Sequence, residues 1–212
     1  MFCFFYSGIF LVVAEKRLYE PIFMEESMKK KLACSGAALG LLGLGIAGTL
    51  LYYKNRPTIP EGIEAVKGFD LKRYLGRWYE ICRMPMRYEK GLTRVTAEYS
   101  LNADGSVRVV NSGFDERSRR WRKSTGKAIF ADDPNEAKLK VSFFGPFYAG
   151  YNVVAIDEDY QYALVFGRTL DYMWILARDP DVPEKILRKY VEKAAAAGYD
   201  YYRLIWTEQE EF

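Results

Sequence analysis

The sequence predicts an all-β fold: an eight-stranded antiparallel up-and-down β-barrel with one C-terminal α-helix packed outside. An N-terminal hydrophobic signal or anchor helix is predicted to precede it. Aromatic residues make up 16% of the 212 residues, which favours strands. Eight short segments with strand-like composition follow one another through hairpin-length connections. An antiparallel sheet of eight strands removes its edges by closing on itself.

The first strand is predicted within residues 70–84, which begin with a short polar turn. Gly76 has no Cβ, so it permits a bend and a close backbone approach where the turn becomes strand. Trp78 is then expected to fill one end of the barrel, because an indole is large and its N–H needs only one partner. Taken alone, this Gly-x-Trp triplet also fits an ordinary turn followed by a core aromatic residue.

Seven further strands follow, and charged or turn-forming residues separate them. They are predicted at residues 93–101, 106–114, 121–130, 137–144, 151–156, 162–167 and 172–177. Residues 145–150 contain two aromatic residues, Phe147 and Tyr148, and are predicted to form a loop.

The pattern changes after the eighth strand. Residues 183–197 predict a helix that begins at Pro183 and stops at Gly198. One face of this helix is apolar and consists of Ile186, Leu187, Tyr190 and Val191. A last short strand is predicted at residues 202–206.

The first 68 residues predict export. Residues 1–27 are a doubtful upstream extension, since Met24 and Met28 are alternative starts to Met1. Residues 28–53 place three lysines before an apolar run, the pattern of a signal peptide or transmembrane anchor. A retained anchor, a cleaved signal and a lipid-modified cysteine remain open, and all three export the rest. Residues 54–68 predict an extended linker to the folded domain, residues 69–212.

Composition excludes several classes of function. The chain has no histidine, which removes Ser-His-Asp and Cys-His nucleophiles and every histidine-based zinc site. The net charge of +3 is too small to argue for nucleic acid. Cys82 is the one cysteine of the predicted domain, so this domain has no internal disulfide. No catalytic residue, metal site or cofactor is predicted.

Several motifs together resemble the lipocalin family, and the branch of bacterial lipocalins and apolipoprotein D in particular. Gly76 and Trp78 lie in Gly-Arg-Trp, Asp171 and Tyr172 partly match Thr-Asp-Tyr, and Arg178 follows the eighth strand. Residues 140–157 also closely resemble the bacterial pattern, and the resemblance covers about residues 69–206. It implies that these five residues are structural and that Arg178 lies across the Trp78 ring. The chain departs from bacterial members in lacking a proper lipobox.

The resemblance also implies a pocket inside the barrel. Tyr99 and Trp174 fall where related barrels present aromatic residues to the ligand, and Tyr172 and Leu176 share the face of Trp174. Phe147 and Tyr148 are expected to form an apolar lip at the mouth. Plain core packing is the alternative for each. Five basic residues are interpreted either as attracting anionic head groups or as a solvated loop: Arg117, Arg119, Arg120, Arg122 and Lys123.

The predicted function is an exported, membrane-associated lipocalin that carries a fatty acid or lysophospholipid. It would serve lipid transport or storage in maintenance of the cell envelope or in stress, and a homodimer is a further candidate. One alternative is a structural or interaction barrel with a filled interior. The other is a thiol enzyme that uses Cys82, although no histidine could activate it. Glu80 and Glu98 on neighbouring strands suggest an acid–base pair or, alternatively, solvent-facing or internally bonded groups.

Overall fold

The computed structural model describes residues 56–145 and 147–209, and the predictions made for residues 1–53 lie outside this part of the chain. Residues 57–212 form one compact unit. Two α-helices are described, α1 (Leu71–Tyr74) and α2 (Glu184–Ala196), and two 3₁₀ turns, Arg87–Glu89 and Tyr201–Arg203. The strands are β1 (Gly76–Arg83), β2 (Leu92–Leu101), β3 (Val107–Asp115), β4 (Arg120–Phe130), β5 (Lys138–Phe144), β6 (Phe147–Ile156), β7 (Tyr162–Phe166), β8 (Met173–Ala177) and β9 (Ile205–Trp206).

The predicted antiparallel barrel is confirmed. Strands β1 to β8 pair with their neighbours in chain order, and β1 also pairs with β8, which closes the sheet. In such a meander, alternate connections lie at the same end. We call the end with the β1–β2, β3–β4, β5–β6 and β7–β8 connections the mouth, and the opposite end the floor.

Two hydrophobic cores use the two faces of this sheet. The inner core fills the lower barrel around Trp78 and Leu176. The outer core lies between the outward faces of β1, β6, β7 and β8 and the apolar face of α2, where Tyr190 and Ala194 are buried. Neither helix of the described residues is long and apolar enough to cross a membrane.

The C-terminal segment, residues 205–209, closes a seam near the mouth. Strand β1 pairs with β2 only over its first four residues, Gly76 to Tyr79, and the two strands then diverge. Strand β9 pairs with the last two residues of β1. Beyond it, the Gln209 amide donates to the carbonyls of Glu80 on β1 and Val95 on β2, at 2.6 and 3.0 Å. The segment therefore joins two strands that no longer contact each other directly.

The sequence prediction of a loop at residues 145–150 is wrong. Strand β6 begins at Phe147, which pairs with Phe144, and so only residues 145 and 146 connect β5 to β6. The hairpin extends because both strands continue their pairing to the turn. Similarly, α1 replaces the predicted polar turn, since the Asp70 carboxylate accepts from the backbone N–H of Lys72 at 2.8 Å.

The segment predicted to be an extended linker contains a turn at residues 61–62, and it packs against the barrel. The Val66 N–H donates to the Val153 carbonyl at 2.9 Å, on strand β6. Near Thr58, the backbone crosses directly over Gly150, where a Cβ would lie 1.9 Å from the Thr58 oxygen. Only glycine permits this approach.

Candidate functional site

The barrel floor is closed by Trp78 and Arg178. The indole is fully buried, and the Arg178 Cζ lies 3.9 Å from the centre of its ring. The guanidinium donates to the carbonyls of Arg73 and Leu75, both at 2.8 Å, at the end of α1. Gly76 has φ +93°, and a Cβ there would lie 3.4 Å from an Arg178 nitrogen. Gly76, Trp78 and Arg178, three of the five residues named by the resemblance, thus form a plug that seals one end.

Asp171 and Tyr172 do not join this plug, because the β7–β8 connection lies at the mouth. Tyr160, in the β6–β7 connection, contacts the plug instead. Its hydroxyl accepts from the Asp70 N–H at 2.8 Å, and its carbonyl accepts from Arg178 Nε at 3.3 Å. Sequence reasoning missed Tyr160, although the acidic turn that precedes it marked a connection at the floor.

Above the plug, three tyrosines fill the lower interior. The Tyr151 hydroxyl lies 2.7 Å from both the Tyr74 and the Tyr99 hydroxyls. The Tyr74 ring packs on Trp78 with 4.8 Å between ring centres. Burial raises the pKa of each of these tyrosines, so all three remain protonated at neutral pH. Tyr99, predicted to contact ligand, therefore forms part of a hydrogen-bonded layer at the base of the remaining space.

The upper interior is more open. Tyr151 and Trp174 lie on the inner face with 6.4 Å between ring centres, and Tyr172 stacks on Trp174 at 6.5 Å. Leu176, one step deeper than Trp174, is almost fully buried. In contrast, several inward-facing side chains nearer the mouth are only partly buried: Val141, Phe143, Tyr151 and Trp174. Because the barrel wall shields these side chains from outside, their partial exposure indicates that solvent reaches them from the mouth.

A polar cluster lies on one wall of this space and consists of Glu80, Arg83 and Glu89. Arg83 is 1% exposed and donates to Glu80 Oε1 at 2.5 Å. Its Nε lies 3.4 Å from Glu89 Oε2, and its Nη2 donates to the Glu89 carbonyl at 2.5 Å. The Thr207 hydroxyl also donates to Glu80 Oε1, at 2.6 Å. Trp174 Nε1 lies 3.5 Å from Glu89 Oε2, which connects the cluster to the predicted pocket.

The electrostatics of the cluster leave it close to neutral. Desolvation, and secondarily the negative charge of Glu80, raise the pKa of Glu89 from 4.5 to about 8. Glu89 is therefore mostly protonated at neutral pH, and Glu80 balances the charge of Arg83. A buried ion pair of this kind has no net charge left to attract a ligand ion.

The cluster was missed because of a β-bulge. Residues three apart in a regular strand face opposite sides, so Glu80 and Arg83 should not meet. The register shifts between Glu80 and Cys82, which turns both side chains inward. Glu98 is exposed and pairs in register with Arg77, whereas Glu80 is buried. The suggested Glu80–Glu98 pair is therefore not formed.

Cys82 faces away from the pocket. Its side chain is fully buried in the outer core, and desolvation, followed by the charge of Glu80, raises its thiol pKa to about 12. Phe147 and Tyr148 lie at the mouth as the sequence suggested, with 54% and 45% of their surface exposed. They belong to strand β6 and point to alternate faces.

A closed floor, a filled lower half and an open upper half define a β-barrel of the kind that encloses a small ligand. Residues 69–209 match the family model for a lipocalin-like domain, and the chain belongs to the lipocalin family. It is 46% identical to the outer membrane lipoprotein Blc of Escherichia coli K12 over 171 residues, covering 81% of this chain and 97% of that protein.

More distant proteins share the same fold. The chain is 34% identical to apolipoprotein D of Mus musculus over 152 residues, which is 68% of this chain and 78% of the relative. Insecticyanin from the tobacco hornworm Manduca sexta superposes with a TM-score of 0.59 at 21% identity, covering 73% of this chain and 88% of that structure. This last likeness concerns the fold alone.

Proposed function

We propose that this lipocalin binds and carries an amphiphile with one acyl chain, a fatty acid or a lysophospholipid. The observation that carries the proposal is the open space above the tyrosine layer, lined by apolar and aromatic side chains and open at the mouth. Burial of an acyl chain contributes about 0.8 kcal/mol per CH₂, which is enough for micromolar binding of a long chain.

The depth of the pocket suggests how such a ligand would lie. Trp174 and Tyr172 would contact the acyl chain, Tyr99 and Leu176 would form the base, and Phe147 and Tyr148 would line the entrance. The interior cluster has its charges paired, so it gives no reason for an anionic head group to enter deeply. The head group would stay at the mouth, where residues 115–123 carry five basic and two acidic side chains.

We also propose that the domain is exported and held at a membrane of the cell envelope through residues 28–53. The lysine-led apolar run supports this, as does the similarity to proteins named outer membrane lipoproteins. The biological role would be transport or storage of lipid during envelope maintenance or stress. A homodimer is compatible with this proposal.

The alternatives receive less support. A thiol enzyme would need Cys82 to reach a substrate, whereas its side chain is buried outside the pocket with a raised pKa. A filled, purely structural barrel is favoured by the tyrosine layer in the lower half but not by the partial exposure of Trp174. Binding therefore has to be measured directly.

The test is native mass spectrometry of residues 57–212 purified without detergent. This compact unit contains both cores and the complete barrel, so it is suitable for separate study. We expect an added mass that extracts into organic solvent as a fatty acid or lysolipid. Stripped protein should then show quenching of tryptophan fluorescence by added oleate or lysophosphatidylcholine. An unliganded mass and no response to either lipid would favour the filled barrel.

Two variants locate the binding. Trp174→Ala should weaken lipid binding about tenfold or more, since it removes a large apolar contact inside the pocket. Trp206→Ala is the matched control, because Trp206 is 53% exposed and lies on β9, outside the inner core. Equal loss in both variants would place the lipid elsewhere on the protein.

A further inference from the structure

The two ends of the barrel differ in their exposed apolar residues. Six large apolar side chains lie in or beside the mouth connections and form what we call the apolar rim: Tyr88, Trp121, Phe144, Phe147, Tyr148 and Leu170. Each exposes between 41% and 63% of its surface. Beside the floor connections, two of the described large apolar residues are exposed, Leu101 at 54% and Ile129 at 37%. Half-exposed aromatic residues in a ring are typical of protein surfaces that meet the interface of a lipid bilayer.

The two ends also differ in charge. The mouth connections, together with residues 115 and 120–123, carry eight basic and four acidic residues. The three floor connections, residues 102–106, 131–137 and 157–161, carry seven acidic residues and no basic one. Within the floor connections, Asp104 and Glu136 each pair with a lysine of an adjacent strand. The connections therefore give the mouth an excess of positive charge and the floor an excess of negative charge, which Lys72, Arg73 and Arg178 at the floor offset only in part.

Much of the mouth charge is available. Arg122 pairs with Asp115, and Arg94 pairs with Glu116 at 3.4 Å. Within the described part of the chain, no carboxylate lies within ion-pair distance of Arg117, Arg119, Arg120 or Lys123, and all four are exposed. These side chains are free to contact phosphates of a surface.

Trp121 is held firmly beside them. Its ring packs edge-on against Phe114 with 5.7 Å between centres, and the Arg94 guanidinium lies 4.1 Å above Phe114. Arg94 Cζ is also 5.7 Å from the centre of Trp121. The most exposed part of β4 thus presents an aromatic side chain on a rigid support, next to unpaired arginines.

We propose that the mouth end of the barrel docks on an anionic phospholipid bilayer. Basic residues 117–123 contact the lipid phosphates, and the apolar rim enters the interface between head groups and acyl chains. The negative floor is repelled by the same surface, so the charge distribution orients the barrel with its opening toward the lipid. This docking does not require a ligand inside the barrel, and so it stands apart from the proposed carrier function.

Vesicle sedimentation of residues 57–212 tests the proposal. We expect binding to vesicles of phosphatidylcholine with 30% phosphatidylglycerol, and little binding to pure phosphatidylcholine. Raising NaCl from 50 to 500 mM should weaken the binding strongly, because salt screens exposed charges. The triple variant Arg117→Glu/Arg119→Glu/Arg120→Glu should bind at least about tenfold more weakly.

The control has the same change in net charge at another place. Lys185→Glu/Arg188→Glu/Lys189→Glu reverses three exposed basic residues in the first half of α2, away from the mouth, and should bind nearly as well as wild type. Equal loss in both triple variants, or equal binding to neutral and anionic vesicles, would overturn the proposal. Trp174→Ala should still bind vesicles, which distinguishes failure of docking from failure of the pocket.

The double variant Trp121→Ser/Phe144→Ser tests the apolar rim. It should weaken the vesicle binding that remains at 500 mM NaCl. If binding at 500 mM NaCl is the same as that of wild type, the role of the rim is contradicted.

Discussion

Glu89 makes the stability of the barrel depend on pH in an unusual direction. Its pKa is raised from 4.5 to about 8 in the folded protein, because the side chain is desolvated beside Glu80. Between these values, the folded state keeps a proton that the unfolded state releases. The free energy of unfolding therefore falls as pH rises, by about 1.4 kcal/mol per pH unit for this group.

The perturbation is Glu89→Gln, which keeps the shape of the side chain and removes its ionisation. From the two pKa values, wild type should lose about 2.5 kcal/mol more stability than the variant between pH 5.5 and 7.5. Urea unfolding of residues 57–212, followed by tryptophan fluorescence at several pH values, measures this difference.

Glu98→Gln is the control, since it makes the same change of side chain at an exposed position on β2. If the free energy of unfolding depends on pH in the same way in wild type and in Glu89→Gln, the reasoning is refuted. Such a result would mean that Arg83 keeps Glu89 ionised in the folded protein. A difference that grows with decreasing pH would refute it as well, as the sign would be reversed.

Three further changes test other parts of the structure. Arg178→Ala should lower the free energy of unfolding by about 3 kcal/mol, since the cation–π contact with Trp78 and several hydrogen bonds are lost. Arg178→Lys should keep only part of this free energy. If urea unfolding shows Arg178→Lys to be as stable as wild type, the role of the planar guanidinium is contradicted. Cys82 should not react with a thiol reagent in folded 57–212 but should react fully in urea, and rapid labelling without urea would show that the outer core is open. Gly150→Ala should cost about 1–3 kcal/mol and make the chain near Thr58 sensitive to protease, because the new Cβ displaces that backbone; protection equal to wild type would contradict this contact.

The sequence predicted the strands well where alternation and turn residues agreed. The observed ends of β2, β3, β4, β5 and β7 lie within one residue of the predicted ends. The agreement is this close because the hydrophobic residues of each strand must face one core, and their alternation marks where the strand lies. The prediction failed at residues 145–150, where two glycines and a proline indicated a loop. Pairing with β5 determines that segment, and such long-range pairing cannot be deduced from local composition.

The site was predictable only in part. Trp174 and Tyr172 follow the period-two pattern of a strand, so their shared face could be inferred. The Glu80–Arg83–Glu89 cluster depends on a bulge and on a 3₁₀ turn, neither of which leaves a clear local signal. The tyrosine layer combines residues from α1, β2 and β6, whose meeting is a property of the closed barrel. Packing, rather than any motif, therefore decides how deep the pocket is.

The seam made by residues 205–209 has a consequence for how the domain folds as its chain is synthesised. Thr207 and Glu80 are 127 residues apart in sequence, yet their hydrogen bond belongs to the mouth-side wall of the barrel. A chain that is synthesised from its N-terminus cannot complete this wall until nearly the whole domain is present. Until then β1 and β2 have unpaired edges near the mouth, which is the kind of exposed backbone that favours aggregation. We therefore expect folding catalysts or chaperones to act on this late intermediate rather than on the finished barrel.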